Sequence, residues 1–174
     1  MVPLGITFLI SSHHQADLEH LRIHEYGQNL DLKMGILERD LLVEDHNGRK
    51  TQIRSRRLVS MRDMHNAAIE WSITPLNWSG NIEITSQLDG TITNNGVNRY
   101  KDLESRHLDP VETRTTDKGI LLAVQTKQSK LVMAQAARTR IFIEGMEVKA
   151  EVKVTEKPLF IAQHFFLDIQ KRQN

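Results

Sequence analysis

Apolar and polar residues alternate along most of this chain. Ala67, Ile69, Trp71 and Ile73 alternate with Ala68, Glu70, Ser72 and Thr74, the period of two expected when successive side chains of a half-buried strand point to opposite faces. After the turn Leu76-Asn77-Trp78-Ser79-Gly80 the period resumes, with Ile82, Ile84 and Leu88 set against Glu83, Thr85 and Gln87. These two segments read as a hairpin. The run from Leu4 to Ile10 predicts a strand, since it lacks the basic flank and small-residue cleavage site of a secretory signal. Ile120 to Thr126 predicts another. So does the stretch in which Val148, Ala150, Val152 and Val154 alternate with Lys149, Glu151 and Lys153, and Ile161 to Ile169 completes the series. Between Lys130 and Phe142, Ala134, Ala136 and Ala137 favour a helix while Val132, Thr139, Ile141 and Phe142 favour a strand, and the pattern alone leaves the choice open.

Asn47-Gly48 tolerates positive φ and predicts a type I′ turn with His46 facing Arg49. That register sets Ile36 opposite Val59, Glu38 opposite Arg57 and Leu42 opposite Ile53 on one face. On the other face it sets Leu37 opposite Leu58 and Arg39 opposite Arg56. Arg39, Arg54 and Arg56 then crowd together, which calls for carboxylates or solvent beside them. Roughly eight or more strands with turns between them, and no amphipathic helix, predict an all-β sandwich or barrel. Residues 1–174 are expected to form one domain. Gly90 to Lys118 has no clear period and reads as a long loop, a place where function often resides.

Composition narrows the chemistry. The 174 residues are 39% hydrophobic and 26% charged, with 9 Gly and 4 Pro, which excludes disordered and low-complexity classes. Lys and Arg number 23 against 22 Asp and Glu, so the net charge of +1 provides no field for holding nucleic acid or an anionic membrane. Neither is expected as a partner. Cysteine is absent, which removes thiolate chemistry and sulfur-ligated metals and agrees with a cytoplasmic, reducing location. No apolar run approaches the roughly 18 to 20 residues of a membrane span. The Asn77-Trp78-Ser79 tripeptide reads as a polar turn rather than a glycosylation site.

Motifs for catalysis are missing: no phosphate-binding glycine loop, no nucleophile elbow, no dinucleotide fingerprint. The carboxylates fall mainly on the outward positions of alternating strands. His20 and His24 have the spacing of two metal ligands on a helix, but no helix is indicated around them and His13 and His14 complete no motif, so no metal and no cofactor is expected. The segment Thr91 to Tyr100 gathers Asn94, Asn95, Asn98, Arg99 and Tyr100, whose amides, guanidinium and phenol suit a hydroxyl-rich ligand. An ordinary polar loop has the same composition. His107, beside Arg106 and Asp109, either joins such a site or caps a surface turn. Arg54, Arg56 and Arg57 have few aromatic neighbours for stacking bases, which favours a strand facing a partner's carboxylates.

Ordered blocks along the chain resemble a known family. Leu30-Asp31-Leu32-Lys33-Met34-Gly35-Ile36-Leu37, Ser55-Arg56-Arg57-Leu58-Val59-Ser60-Met61 and Thr74-Pro75-Leu76-Asn77-Trp78-Ser79-Gly80 come first. Leu88-Asp89-Gly90, Asn95-Gly96-Val97-Asn98-Arg99-Tyr100, His107-Leu108-Asp109-Pro110 and Thr126-Lys127-Gln128-Ser129 follow. Together they are similar to the N-terminal domain of glycoside hydrolase family 65, which includes maltose, trehalose and kojibiose phosphorylases and trehalose hydrolases. The resemblance implies a large two-sheet antiparallel β-sandwich of the super-sandwich type, and a strand for the alanine-rich stretch. In that family the sandwich precedes a helical linker and an (α/α)6 barrel carrying the catalytic glutamate. No barrel sequence occurs here, so the chain is expected to be a separated piece of a longer enzyme or a truncated gene product, without catalytic residues and inactive by itself. The implied role is accessory: support of the barrel, contact with a second copy, and loops near the sugar. On that reading Asn94, Asn95, Arg99, Tyr100 and His107 face carbohydrate. A free-standing carbohydrate-binding module and a structural interaction protein are the rival classes, separable by saccharide calorimetry and by size-exclusion chromatography.

Overall fold

The computed structural model describes residues 4–10, 21–92 and 106–171. None of these is helical; thirteen strands run through them. In chain order they are β1 (Leu4–Ile10), β2 (Arg22–Asp31), β3 (Ile36–Glu44), β4 (Lys50–Val59), β5 (Ala67–Pro75), β6 (Gly80–Asp89) and β7 (Leu108–Thr116). After these come β8 (Gly119–Thr126), β9 (Val132–Ala137), β10 (Ile141–Ile143), β11 (Met146–Val148), β12 (Glu151–Lys157) and β13 (Phe160–Ile169). The fold is all-β. The chain divides into two compact units, one of Met1–Ile10 with Ile82–Leu167, the other of Ser11–Asn81 with Asp168–Asn174.

The second unit is a four-stranded antiparallel meander in the order β2-β3-β4-β5. Its register pairs Glu38 with Arg56, Asp40 with Arg54 and Leu41 with Ile53, one residue away from the register predicted around a type I′ turn. Only Gly48 of the Asn47-Gly48 pair has positive φ, at 74°. The loop therefore holds three residues, closed by Asp45 N–H to Arg49 O at 3.1 Å and Gly48 N–H to Asp45 O at 2.9 Å, with glycine in the left-handed bulge position. The Asp45 carboxylate selects this form, because Oδ1 accepts the amides of Asn47 and Arg49 while Oδ2 takes Arg49 Nε at 2.7 Å. A slip of one residue exchanges faces. Leu41, Val43, Thr51, Ile53 and Ser55 thus share the buried face, whereas Glu38, Asp40, Arg54 and Arg56 share the other.

The expected hairpin of β5 with β6 does not form: β5 pairs with β4, and β6 with β1. The residues between them are bound backward to β4. Leu76 N–H donates to Lys50 O, the Asn77 side chain accepts Lys50 N–H at 2.7 Å and donates to Gly48 O at 2.9 Å, and Trp78 Nε1 donates to Lys50 O and Thr51 Oγ1. Those bonds consume the loop that a hairpin would have needed.

The first unit contains a four-stranded sheet in the order β1-β6-β13-β12, a three-stranded sheet β7-β8-β9 and the small hairpin β10-β11. Leu88 of β6, Ile161 of β13 and Ile120, Leu122 and Val124 of β8 form its core, each at most 1% exposed. Central β8 is buried along nearly its whole length. Gly119 opens it because a Cβ there would collide with the carbonyl of Ala137. Two further expectations change. The long loop from Gly90 to Lys118 contains β7, an edge strand mostly exposed on both faces and broken in register near Pro110, so no alternation marks it. The single strand read through Val148 to Val154 is two, β11 ending at Val148 and β12 starting at Glu151, because they pair with different partners. The alanine-rich stretch is extended, as β9.

Candidate functional site

Asn94, Asn95, Arg99 and Tyr100 lie outside the described residues. The chain on either side of them is held at one rim of the first unit. On the incoming side Gly90 N–H donates to Leu159 O at 2.7 Å, and a Cβ at Gly90 would lie 3.1 Å from Val124 Cγ1 and 3.2 Å from that carbonyl, so the backbone must pass close to the core. Asp89 Oδ1 then caps Thr91, taking its N–H at 2.8 Å and its hydroxyl at 2.6 Å. On the outgoing side Leu108 pairs with Thr126 and packs against the same core. His107 is exposed, and its carbonyl accepts Lys127 N–H at 2.9 Å. Both flanks therefore meet the end of β8.

The turn from β8 to β9 completes the rim. Thr126 accepts Lys130 N–H at its carbonyl, its hydroxyl accepts Leu131 N–H at 2.9 Å and lies 2.6 Å from Ser129 Oγ, and Lys130 holds φ at 56°. Lys130 Nζ reaches Asp109 Oδ2 at 3.8 Å. The backbone of His107, predicted from sequence, is thus tied to Lys127 in the Thr126 to Ser129 block. The Lys130 ammonium, the Asp109 carboxylate and the Thr126 and Ser129 hydroxyls lie along the same turn, groups able to hydrogen-bond a polyol. Lys130 was missed; only its closeness to the Thr126 to Ser129 block hinted at it.

In the second unit the arginine group resolves into a ladder. Arg54 Nε bonds Asp40 Oδ2 at 2.7 Å, Arg56 Nε lies 3.4 Å from Glu38 Oε1, and Arg56 NH1 donates to Glu70 Oε2 at 3.3 Å. For Arg54 and Arg56 the carboxylates expected from a partner come instead from the adjoining strands. Arg39 leaves the group for the opposite face, where its guanidinium lies 6.0 Å from the Tyr26 ring. His24 is in strand β2, with Nε2 2.6 Å from Glu44 Oε2; His13, His14 and His20 lie outside the described residues. Among the described residues no three His, Asp or Glu side chains come together as a metal site.

A polar string that the sequence did not reveal crosses β6, β13 and β12. His164 Nδ1 lies 2.7 Å from Glu83 Oε1 and 3.2 Å from Thr85 Oγ1, and Nε2 lies 3.1 Å from Thr155 Oγ1. Both ring nitrogens are engaged, so the imidazole ties three strands together. Glu83 and His164 are 81 positions apart, and nothing local marks them as partners.

The family model for the N-terminal domain of glycosyl hydrolase family 65 matches residues 3–174. The chain belongs to that family. An uncharacterized glycosyl hydrolase of Mycobacterium tuberculosis is 33% identical over 151 residues, which is 87% of this chain and 11% of the relative. A kojibiose phosphorylase of Thermoanaerobacter brockii is 30% identical over 129 residues, 74% of this chain and 16% of the relative. The family 65 chain thus spans well under a fifth of the length of these two enzymes. Among solved structures, the "Putative kojibiose phosphorylase from human microbiome" superposes with a TM-score of 0.79 at 18% identity over 97% of this chain and 20% of the other, which shows the same fold. In this family 65 domain several of the recognised blocks fall at turns and joints: Leu30–Leu37 spans the β2–β3 turn, Thr74–Gly80 the joint after β5, and Thr126–Ser129 the rim turn.

Proposed function

We propose that this domain is the non-catalytic N-terminal sandwich of a family 65-like disaccharide phosphorylase or hydrolase, supporting an (α/α)6 barrel and presenting its rim to the sugar. The observation that carries the reading is the family match over residues 3–174 in a chain that covers only 11% to 16% of the two enzymes it resembles. The rim supports the second half of it. Asp89, Gly90 and His107 hold both flanks of the segment bearing Asn94, Asn95, Arg99 and Tyr100, and these residue types hydrogen-bond hydroxyls without supplying a nucleophile. Catalysis belongs to the barrel.

The test replaces the corresponding domain of a kojibiose phosphorylase with this chain. The chimera is expected to turn over disaccharide, and Arg99→Ala or His107→Ala in it raises KM or lowers kcat several-fold. A chimera whose kinetics ignore both substitutions overturns the rim's role. One that stays soluble but never associates with the barrel overturns the supporting role.

A further inference from the structure

We propose that two copies of this chain associate through the outer edge of β5, strand against antiparallel strand, about a two-fold axis at Trp71. The β2-β3-β4-β5 sheet has two edge strands, and they are built differently. In β2 the register shifts between Ile23 and Glu25, Gly27 sits inside the strand, and Arg22, His24 and Glu25 line its first turns of pleat. Bulges and charged side chains keep an edge strand from recruiting another, and an internal glycine weakens it. The opposite edge is open in each of these respects. The nine residues of β5 pair with β4 in unbroken register, hold no glycine, lysine or arginine and only one carboxylate, Glu70, and reach proline only at the last position, Pro75. Among the described residues no strand pairs with the other side of β5, so its outward backbone groups are a template for a further strand.

The sequence of β5 identifies the strand that fits, because it is complementary to itself. All nine residues find a partner only when Ala67 faces Pro75 of the second copy, which sets Trp71 opposite Trp71, Ile69 opposite Ile73 and Glu70 opposite Ser72. On one face Ile69, Trp71 and Ile73, each half-buried, continue into the same three residues of the second copy, and aromatic and β-branched cross-strand pairs stabilise a sheet. On the other face each Glu70 keeps Arg56 of its own chain at 3.3 Å and meets a serine hydroxyl. Moving the axis to Glu70 sets the two carboxylates opposite each other, which is unfavourable. Moving it to Ser72 leaves Ala67 and Ala68 without partners. The best register is therefore isologous, with proline at the ends of the ladder where a missing N–H matters least. It joins the two sheets into one of eight strands, β2-β3-β4-β5 followed by β5-β4-β3-β2 of the second copy. This inference is independent of the accessory role, since it concerns neither the rim nor the barrel.

Sedimentation of the whole chain over a concentration series tests it, with hydrogen exchange locating the contact. A monomer–dimer equilibrium is expected, in which amides of β5 gain protection as concentration rises and those of β2 do not. Ser72→Glu sets a carboxylate opposite Glu70 of the second copy but also opposite Arg54 of its own chain, so the fold is kept and the dimer Kd is expected to rise by about tenfold or more. Ser72→Lys sets an ammonium opposite the same Glu70 and is expected to hold or tighten the dimer. Net charge alone predicts the reverse, since the glutamate cancels the chain's charge of +1 and the lysine adds to it. Circular dichroism and melting confirm that both variants fold. A chain that stays monomeric up to millimolar concentration would overturn the inference and leave the β5 edge to a strand of a different protein. Concentration-dependent protection confined to another strand, or a dimer that Ser72→Glu does not weaken, would overturn it as well.

Discussion

Trp78 donates its indole N–H to the hydroxyl of Thr51 at 3.0 Å, and Thr51 is fully buried. The contact joins the segment after β5 to the start of β4 and closes the buried end of the second unit. Trp78→Ala is expected to cost about 3–5 kcal/mol by loss of a large buried side chain, measured by urea unfolding. Trp78→Phe costs less but leaves the Thr51 hydroxyl without its donor, and adding Thr51→Val to it recovers part of the loss because both polar partners are then gone.

Asn77 serves the same joint through two backbone bonds, to Lys50 N–H and Gly48 O. Asn77→Ala removes both and is expected to destabilise the protein by about 1–3 kcal/mol. Hydrogen exchange at the Lys50 amide should accelerate more than exchange in the middle of β8. Equal protection of Lys50 in both proteins would contradict this account of the joint.

Stability should fall at acid pH through Asp45. Partial burial raises the pKa of its carboxyl, but the Arg49 amide and guanidinium and the Asn47 amide outweigh this and hold it below the usual carboxylate range. A depressed folded pKa means that the stabilisation is complete above the unfolded value of about 3.9 and is lost as pH falls through the folded value. Asp45→Asn is therefore expected to flatten the acid limb of a stability profile measured from neutral pH down to about 2. Glu147 is shifted the same way, mainly by its hydrogen bond to Arg140, but it lies at the surface and adds little.

Two glycines should respond oppositely to alanine. At Gly119 the new Cβ meets the Ala137 carbonyl, a backbone atom that cannot step aside, and a loss of about 1–3 kcal/mol is expected. At Gly27 the space is empty, and alanine is expected to be neutral or to stabilise by about 0.5–1 kcal/mol. Thermal melts of the two variants provide the comparison.

The charge ladder should matter little for folding. Arg54 and Arg56 are 63% and 52% exposed, and exposed ion pairs contribute about 0–1 kcal/mol. Arg54→Ala and Arg56→Ala are each expected to shift stability by less than about 1 kcal/mol. A larger loss would mean that the ladder holds the sheet together.

The strands legible from sequence are those whose apolar and polar residues alternate. In β6, Ile82 and Leu88 are buried while Glu83 and Gln87 are not, as the period of two predicts, but Thr85 is buried as well and Ile84 only half-buried. Strands β2 and β7 carry no such alternation, whereas β5 and β12 do although they too lie at sheet edges and are largely exposed. The rim was half legible: His107 stood out by type, but the bond of its carbonyl to Lys127 at the β8–β9 turn depends on β7 pairing with β8. The Glu83–His164 contact was illegible, since no local pattern couples two strands so far apart.

Alternation and turn residues were enough to predict an all-β chain, because side-chain direction in a strand is a local property. Which strands became neighbours was decided only in three dimensions. Every strand offers the same backbone donors and acceptors, so partners and register are chosen by contacts such as Asp45 with Arg49 and Asn77 with Lys50, which a linear pattern does not contain.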